Sequence, residues 1–559
     1  MKPLYVLILG CLACTYVSLA HLHNTYFWDD EAHVGIIAKN FLATGHFTGW
    51  DGRNLFAFRN GTLLDSHLRI INPPLEYLVT AASFRVFGAS TWAGRFPFVI
   101  AGLLSVVVFI RLMHDMIGNK MQFWGYAAGS LAFSTAFLLN IRQCRYYALA
   151  LLFSLLTYLS YRACLRTKHW GDFLALALWV TLLFYSNHLL GGAFFLALMS
   201  VHGVFHSHDL SVKEWGKVLC TLALIAAATI PYALYYEIWY RPDIPAREVW
   251  YSRKATLLWW NLRDLNLIGY FPWIAAVGGG LFLIRFRTQQ TPVMRTTREW
   301  LILSLIYVVC LALFSPQPTA APTIADVRYL IPVLPFFTGV IGILLGTLHE
   351  RMPAVAMAFF LVNVTTNVFT LTPFHSEFRW LLPAYLKEVH EDYPTAYRAV
   401  SEFLERHAKH DDRVFAYPPH MNYPLMFYTG ETLVFCCLLN HHTQLPRPVV
   451  NTLQAPLFIE QYLPDWFIAF GSHAATTQLL TFFLQHPLNR GDRGLLSQFQ
   501  LVEGLDVYWR DTHRPELPWH NFGARADFDR GSEAVYIFKR VAYDALARGM
   551  TPTDEPELP

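Results

Sequence analysis

The chain is short of charge. Lys, Arg, Asp and Glu make up 15% of its 559 residues, against about 25% in soluble domains. That deficit excludes a wholly soluble fold. Hydrophobic residues at 54% and a mean hydropathy of +0.31 point to a membrane protein. Net charge is only +3, with no basic run of the kind that binds nucleic acid, so nucleic acid is not expected as a partner. Cysteine is scarce: eight residues, with no metal-type spacing. Cys11, Cys14, Cys164, Cys220 and Cys310 lie in or beside apolar segments and read as small buried hydrophobes. Cys436 and Cys437 are adjacent and cannot easily bridge each other. No repeat of solenoid type is present.

Apolar runs and aromatics are abundant. Aromatics at 16% suit interfacial belts. Runs of membrane-spanning character fall at 4–22, 94–112, 121–139, 147–161, 172–190, 191–206, 217–236, 267–285, 299–315, 328–348 and 353–372. The first resembles a signal peptide, with Ser18-Leu19-Ala20 as a cleavage site. Its continuation to Leu22 and the many later runs favour an uncleaved anchor.

The Lys/Arg bias supports a count of eleven spans with a cytoplasmic N-terminus. The connections then placed inside are short and basic, with Arg111 and Lys120, Arg162, Arg166 and Lys168, Lys213 and Lys217, Arg285 to Arg298, and Arg351. The long connections 23–93 and 237–266 fall outside, and so does the C-terminal region.

The connection 23–93 carries two helical patterns, Ala32 to Ala43 and Leu75 to Phe87, separated by Pro73-Pro74. Two short amphipathic helices on the membrane surface satisfy it. The connection 237–266 mixes Trp239, Tyr240, Trp250, Tyr251, Trp259 and Trp260 with five basic residues, as an interfacial anchor or a lid near an anionic lipid-linked ligand would. From Phe374 charge, proline and histidine rise. A helix is expected at 398–407 and another at 477–485, with strands at 413–417, 432–436, 465–470 and 533–538. The expected organisation is a membrane domain over 1–373 that includes the loop 23–93, a soluble α/β domain over 374–550 and a disordered tail over 551–559.

The outward ends of the spans collect ionisable residues, which are costly to keep near a membrane. Asp29, Asp30 and Glu31 follow the first span; Arg142 and Arg145 precede the fourth; His188 ends the fifth; Arg328 opens the tenth. Singly, each has a bland reading as a snorkelling anchor, an interface histidine or a solvated loop acid. Together they place acids and cations in one plane at the outer membrane–water boundary. A lipid-linked sugar phosphate presents its anomeric carbon at that height. Transfer to a hydroxyl needs a carboxylate to take the acceptor's proton. The departing lipid phosphate needs cations, and arginine binds phosphate oxygens in a two-pronged fork.

The chain resembles the GT-C membrane glycosyltransferases, particularly the branch of protein O-mannosyltransferases and the lipid A aminoarabinose transferase. The resemblance rests on Asp30-Glu31 with the helical run to Gly45, and on Asn72-Pro73-Pro74-Leu75 leading to Phe87-Gly88. It continues with Ala93-Gly94-Arg95-Phe96-Pro97, Arg145-Tyr146-Tyr147, Tyr185-Ser-Asn-His188 and Arg328-Tyr329-Leu330-Ile331-Pro332. It is densest over 24–190. The branch's lysine before Pro-Pro is Asn72 here, and Ile71 stands where the lipid A enzymes have an acid, so donor-phosphate binding must rest elsewhere.

The resemblance implies a polytopic α-helical GT-C fold, a polyprenyl-phosphate-linked sugar donor, a glycan, lipid or protein acceptor, and an inverting single displacement. It implies Asp30 as base, with Asp29 as rival and Glu31 in support. Arg145 and Arg328, with Arg142, are expected at the donor phosphate, and His188, Tyr146 and Asn72 around the site. No metal ligand set is expected; His21, His23 and His33 beside the acids leave a divalent ion open. The expected location is the bacterial cytoplasmic membrane. The alternative reading is a flippase for lipid-linked glycans, which would place its binding groups at the midplane and often show repeated halves.

Overall fold

The computed structural model describes residues 3–57, 64–70, 72–235, 252–268, 272–287, 291–315, 327–373, 376, 378–390, 395–417, 419–436, 463–470, 498–508 and 532–541. The helix expected at 477–485, the tail 551–559 and the first half of the aromatic connection, 236–251, lie outside the described residues.

The helices are α1 (Pro3–Leu19), α2 (Asp29–Thr44), α3 (Leu75–Phe87), α4 (Thr91–Ile117), α5 (Met121–Ala132), α6 (Thr135–Ile141), α7 (Tyr147–Thr167), α8 (Trp170–Ser186) and α9 (His188–Phe205). They continue as α10 (Val212–Tyr235), α11 (Ser252–Asp264), α12 (Pro272–Arg285), α13 (Pro292–Phe314), α14 (Leu334–His349), α15 (Pro353–Thr365), α16 (Leu381–His390), α17 (Ala396–His407) and α18 (Asn422–Thr429). Each of the eleven apolar runs carries a helix. Among the described residues six helices are long and apolar enough to cross a membrane, α14 counting with its 3-10 lead-in from Arg328, and four shorter apolar helices accompany them. The third expected run is broken into α5 and α6 at Phe133–Ser134, where the Ser134 hydroxyl accepts from the Phe137 N–H and starts a new helix.

The chain divides into two compact units. The described residues of the helical unit fall within 3–24 and 73–390. Here α7 packs between α4 and α8, α9 lies along α13, and α14 lies along α5. The α5–α14 contact needs a small residue: a Cβ on Gly342 would stand 2.4 Å from that of Ala127. Backbones approach closely in this way where packing, rather than water, drives helix association.

The second unit comprises 25–72, 393–512 and 527–559. It holds a five-stranded sheet of β1 (Arg413–Tyr417), β2 (Val434–Phe435), β3 (Trp466–Phe470), β4 (Phe499–Tyr508) and β5 (Ser532–Arg540), in the order β2-β1-β3-β5-β4. β1 runs parallel to β2 and β3, and β5 antiparallel to β3 and β4. Phe415, Cys436, Phe467 and Ala469 form a buried cluster. Burial pushes the Cys436 thiol up to about 12, so it packs as a small hydrophobe.

The first loop is shared between the units, and polar contacts bind its first half to the sheet-bearing one. The Asn54 amide donates to the Gly430 and Leu433 carbonyls at 2.9 and 3.1 Å, and its oxygen accepts from Phe435 N–H at 2.8 Å. Arg53 pairs with Asp411 and donates to the carbonyls of Glu431 and Thr432. The Tyr423 hydroxyl donates to the Ala57 carbonyl at 3.1 Å. Helix α2 is buried on all sides from Asp30 to Ala38. It crosses α18 at Gly35, where a Cβ would meet the Phe427 ring at 2.8 Å. It stops at Gly45, whose φ of +75° suits glycine and whose N–H bonds to the Phe41 carbonyl at 2.8 Å.

Candidate active site

The candidate acids lie in the sheet-bearing unit. Trp28 is extended, so the chain enters α2 with Asp29, Asp30 and Glu31 in its first turn. Unsatisfied N–H groups there favour negative charge by about 0.3–1 kcal/mol per carboxylate. Asp30 and Glu31 are buried, at 9% and 1% exposure; Asp29 is half-buried. The turn is held from behind by α18. Phe27 N–H donates to the Tyr428 hydroxyl at 2.8 Å, and the Phe27 ring lies 4.9 Å from that of Phe427. His33 is buried and stacks on Phe56 at 4.7 Å. Asn72 is half-buried in the same unit.

The candidate cations lie in the helical unit, around the start of α7. Tyr146 caps that helix, and its N–H donates to Glu76 Oε2 at 3.0 Å. Arg145 Nη1 lies 3.7 Å from Glu76 Oε1, with both side chains almost fully buried. The Arg145 guanidinium is 5.2 Å from the Tyr146 ring centre. Arg328 Nη1 donates to the Tyr147 hydroxyl at 3.2 Å, and its guanidinium lies 5.6 Å from the Tyr329 ring. Burial holds the Tyr146 phenol well above its ordinary value, and the Tyr329 and Tyr147 phenols add to the rise. Both Arg328 and Arg145 oppose that rise, so the two guanidiniums share one neighbourhood around Tyr146. The Tyr307 hydroxyl of α13 donates to the Tyr329 carbonyl at 2.6 Å and steadies Arg328 from the far side.

Arg142 has a different engagement. It donates to the Val17, Ser18 and Ala20 carbonyls at 3.4, 2.9 and 2.7 Å and to that of His21 at 3.4 Å. Arg95 donates to the Leu22 carbonyl at 2.9 Å. Arg142 thereby closes the carbonyl-rich end of α1, where cations are favoured, while Arg95 holds the turn that follows it. His188 opens α9 behind its cap Asn187, with its ring 6.3 Å from that of Phe184. The structure thus gathers Arg145, Tyr146 and Arg328, turns Arg142 to α1, and carries the three acids on the other unit.

Glu76 is absent from the sequence-based list. Its one signal was a lone carboxylate in the first turn of an otherwise apolar helix, α3. A second buried group was missed too. Glu299 of α13 has no exposure and accepts from the Tyr158 hydroxyl at 3.1 Å and from Arg162 at 3.2 Å. His206 stands 3.2 Å from Glu299 and 2.7 Å from Asp209. Among the described residues no group of three His, Cys, Asp or Glu side chains is arranged to hold a metal ion.

No protein-family model and no curated protein matches the sequence. Solved structures do. The structure of ArnT from Cupriavidus metallidurans bound to undecaprenyl phosphate is similar over 97% of this chain and 99% of that one, with a TM-score of 0.54 at 14% identity. Its apo state matches over 86% and 94%, with a TM-score of 0.49 at 14% identity. The oligosaccharyltransferase of Archaeoglobus fulgidus in complex with Zn and sulfate matches over 82% and 67%, with a TM-score of 0.47 at 11% identity. At such identities the likeness speaks to fold, and among these three only the first exceeds 0.5. The chain shares the fold of that ArnT structure over nearly its whole length.

Proposed function

We propose that this protein moves a monosaccharide from a polyprenyl-phosphate donor to a hydroxyl acceptor, at the outer face of the cytoplasmic membrane. The observation that carries the reading is the end-to-end similarity to a fold whose solved example holds undecaprenyl phosphate. The N-terminus is cytoplasmic in this reading, and the sheet-bearing unit is extracytoplasmic. The acceptor oxygen attacks the anomeric carbon. Its proton passes to the Asp30 carboxylate as the carbon–phosphate-oxygen bond breaks, and the bonding pair leaves with the lipid phosphate, inverting the configuration. Asp29 is the rival base, and Glu31 orients the acceptor or supports the base. Arg145 and Arg328 hold the phosphate oxygens, and their fixed charge stabilises the leaving group without an acid. Tyr146 spaces them, while His188 and Asn72 shape the approach. Arg142, which also donates to the Ser18 and Ala20 carbonyls, is the third cation assigned to the donor phosphate.

A panel of labelled polyprenyl-phosphate monosaccharides, offered to the purified protein in lipid with a membrane extract as acceptor, tests the proposal. Release of lipid phosphate with label moving to one acceptor fraction is the expected result. Movement of a lipid-linked sugar between leaflets, with no transfer from any donor, would overturn it.

A further inference from the structure

The sheet-bearing unit holds a second cleft, on the same helix as the acids. It lies between the C-terminal half of α2 and the end of α18, with a volume of about 310 Å³. That is the lower end of the range for small-molecule sites. Its floor is apolar, made by Ile36, Met426 and Phe427, all buried. Its rim is charged but balanced. Lys39 and Arg53 stand there with Asp51 and Glu431; Lys39 pairs with Glu431 at 2.9 Å, and Arg53 pairs with Asp411, which lies outside the lining. The Lys39 bond and charge hold Glu431 below the usual carboxylate range, and Lys39 lies 5.3 Å from the Phe427 ring centre.

This chemistry selects a ligand class. A phosphate or polyanion trap needs surplus positive charge, and here each of these two cations is answered by an acid. Cations and acids together around an apolar, aromatic floor suit a sugar ring, with hydroxyls at its edge and C–H groups on its face. Position then says which sugar. Ile36, Asn40 and Ala43 share a helix face with Asp29, at helical spacings. Asn40 is ten residues beyond Asp30, roughly 15 Å along the axis. A single hexose does not bridge that length; an oligosaccharide does.

We propose that this cleft is an acceptor subsite that anchors one residue of an oligosaccharide while a hydroxyl further along the same glycan reaches the acids of α2. The proposal rests on the transferase reading and narrows its acceptor from glycan, lipid or protein to a glycan of several residues.

The test uses the full-length protein in nanodiscs and two readouts. The first is equilibrium binding of fluorescently labelled monosaccharides and of labelled trisaccharides to pentasaccharides, neutral and uronate-bearing. The second is sugar transfer. Ala43→Trp fills the mouth of the cleft, and the double variant Lys39→Ala/Glu431→Ala removes one pair of the rim; none of these residues belongs to the proposed catalytic groups. The expected result is oligosaccharide binding that exceeds monosaccharide binding and falls at least tenfold in both variants. The transfer KM for the acceptor should rise to match while the KM for the donor holds. Wild-type-like binding and acceptor KM in both variants would overturn the cleft and leave the transferase reading standing. No oligosaccharide binding by the wild type would overturn it as well. Cleft-dependent binding with no transfer from any donor would overturn the acceptor role together with the transferase reading and leave only a glycan-binding cleft.

Discussion

The buried pair Arg145–Glu76 separates a donor-binding role from a structural one. At 3.7 Å and an effective dielectric near 20, the direct attraction is about 4.5 kcal/mol. Desolvation of both groups offsets much of it, so the pair as a whole contributes little. Breaking it is another matter. Arg145→Gln removes the positive charge facing the buried Glu76 carboxylate, which costs about 3–5 kcal/mol. Glu76→Gln takes that acid away from Arg145, at a similar cost. The double variant leaves two neutral amides able to bond each other, so stability returns most of the way, with a coupling energy of about 1–3 kcal/mol. Activity should behave differently. If Arg145 also grips the lipid phosphate, the charge-assisted bond it loses is about 1.5–3 kcal/mol, some tenfold to a hundredfold in donor KM. That loss persists in the double variant, because no cation returns. Thermal unfolding in nanodiscs reads the first effect, and donor KM at saturating acceptor reads the second. Recovery of donor KM in parallel with stability would refute the assignment and make Arg145 a partner of Glu76 alone.

Three further expectations follow from the same contacts. Asp30→Asn should lower kcat by about 10²–10⁴, the usual worth of a general base, with donor KM unchanged. If Asp29→Asn does so instead, the roles of the neighbours exchange. Gly35→Val should destabilise the sheet-bearing unit by about 1–3 kcal/mol, because even a Cβ there meets the Phe427 ring at 2.8 Å; limited proteolysis reports the loosened α2. Burial disfavours the charge on His206, but its bonds to Glu299 and Asp209 outweigh that and raise its pKa, against opposition from Arg162. A raised histidine pKa contributes stability that is complete below the unfolded value, near 6.5, and fades as pH climbs through the folded value. Unfolding temperature should therefore fall as pH rises above about 6.5, and His206→Gln should flatten that limb; an unchanged slope would remove His206 from the cause.

Much of this was legible beforehand because it is local. A run of apolar residues forms a helix whatever lies beside it. Strands β1, β3 and β5 show in short apolar stretches, and α17 shows in its amphipathic spacing behind the Thr395 cap. α18 was missed: Asn422-Tyr-Pro-Leu-Met-Phe-Tyr-Thr429 is short, carries a proline and is buried at seven of its eight positions, so it shows no polar face to set a period. β4, whose residues alternate poorly, gains its order by pairing with β5.

The sequence by itself determined the class of molecule, the helical runs, the acids after the first span and the arginines that open later ones. Each follows from composition or from the spacing of neighbouring residues, which local burial and hydrogen bonding dictate. Tertiary structure decided which polar groups meet. It tied residues 25–57 to a sheet some four hundred positions away through Asn54 and Arg53, and so assigned the acids to that unit. It set Glu76 beside Arg145 and Arg142 at the end of α1. A buried charge must find its complement, and the partner it finds depends on which helices pack together, which no local pattern of residues encodes.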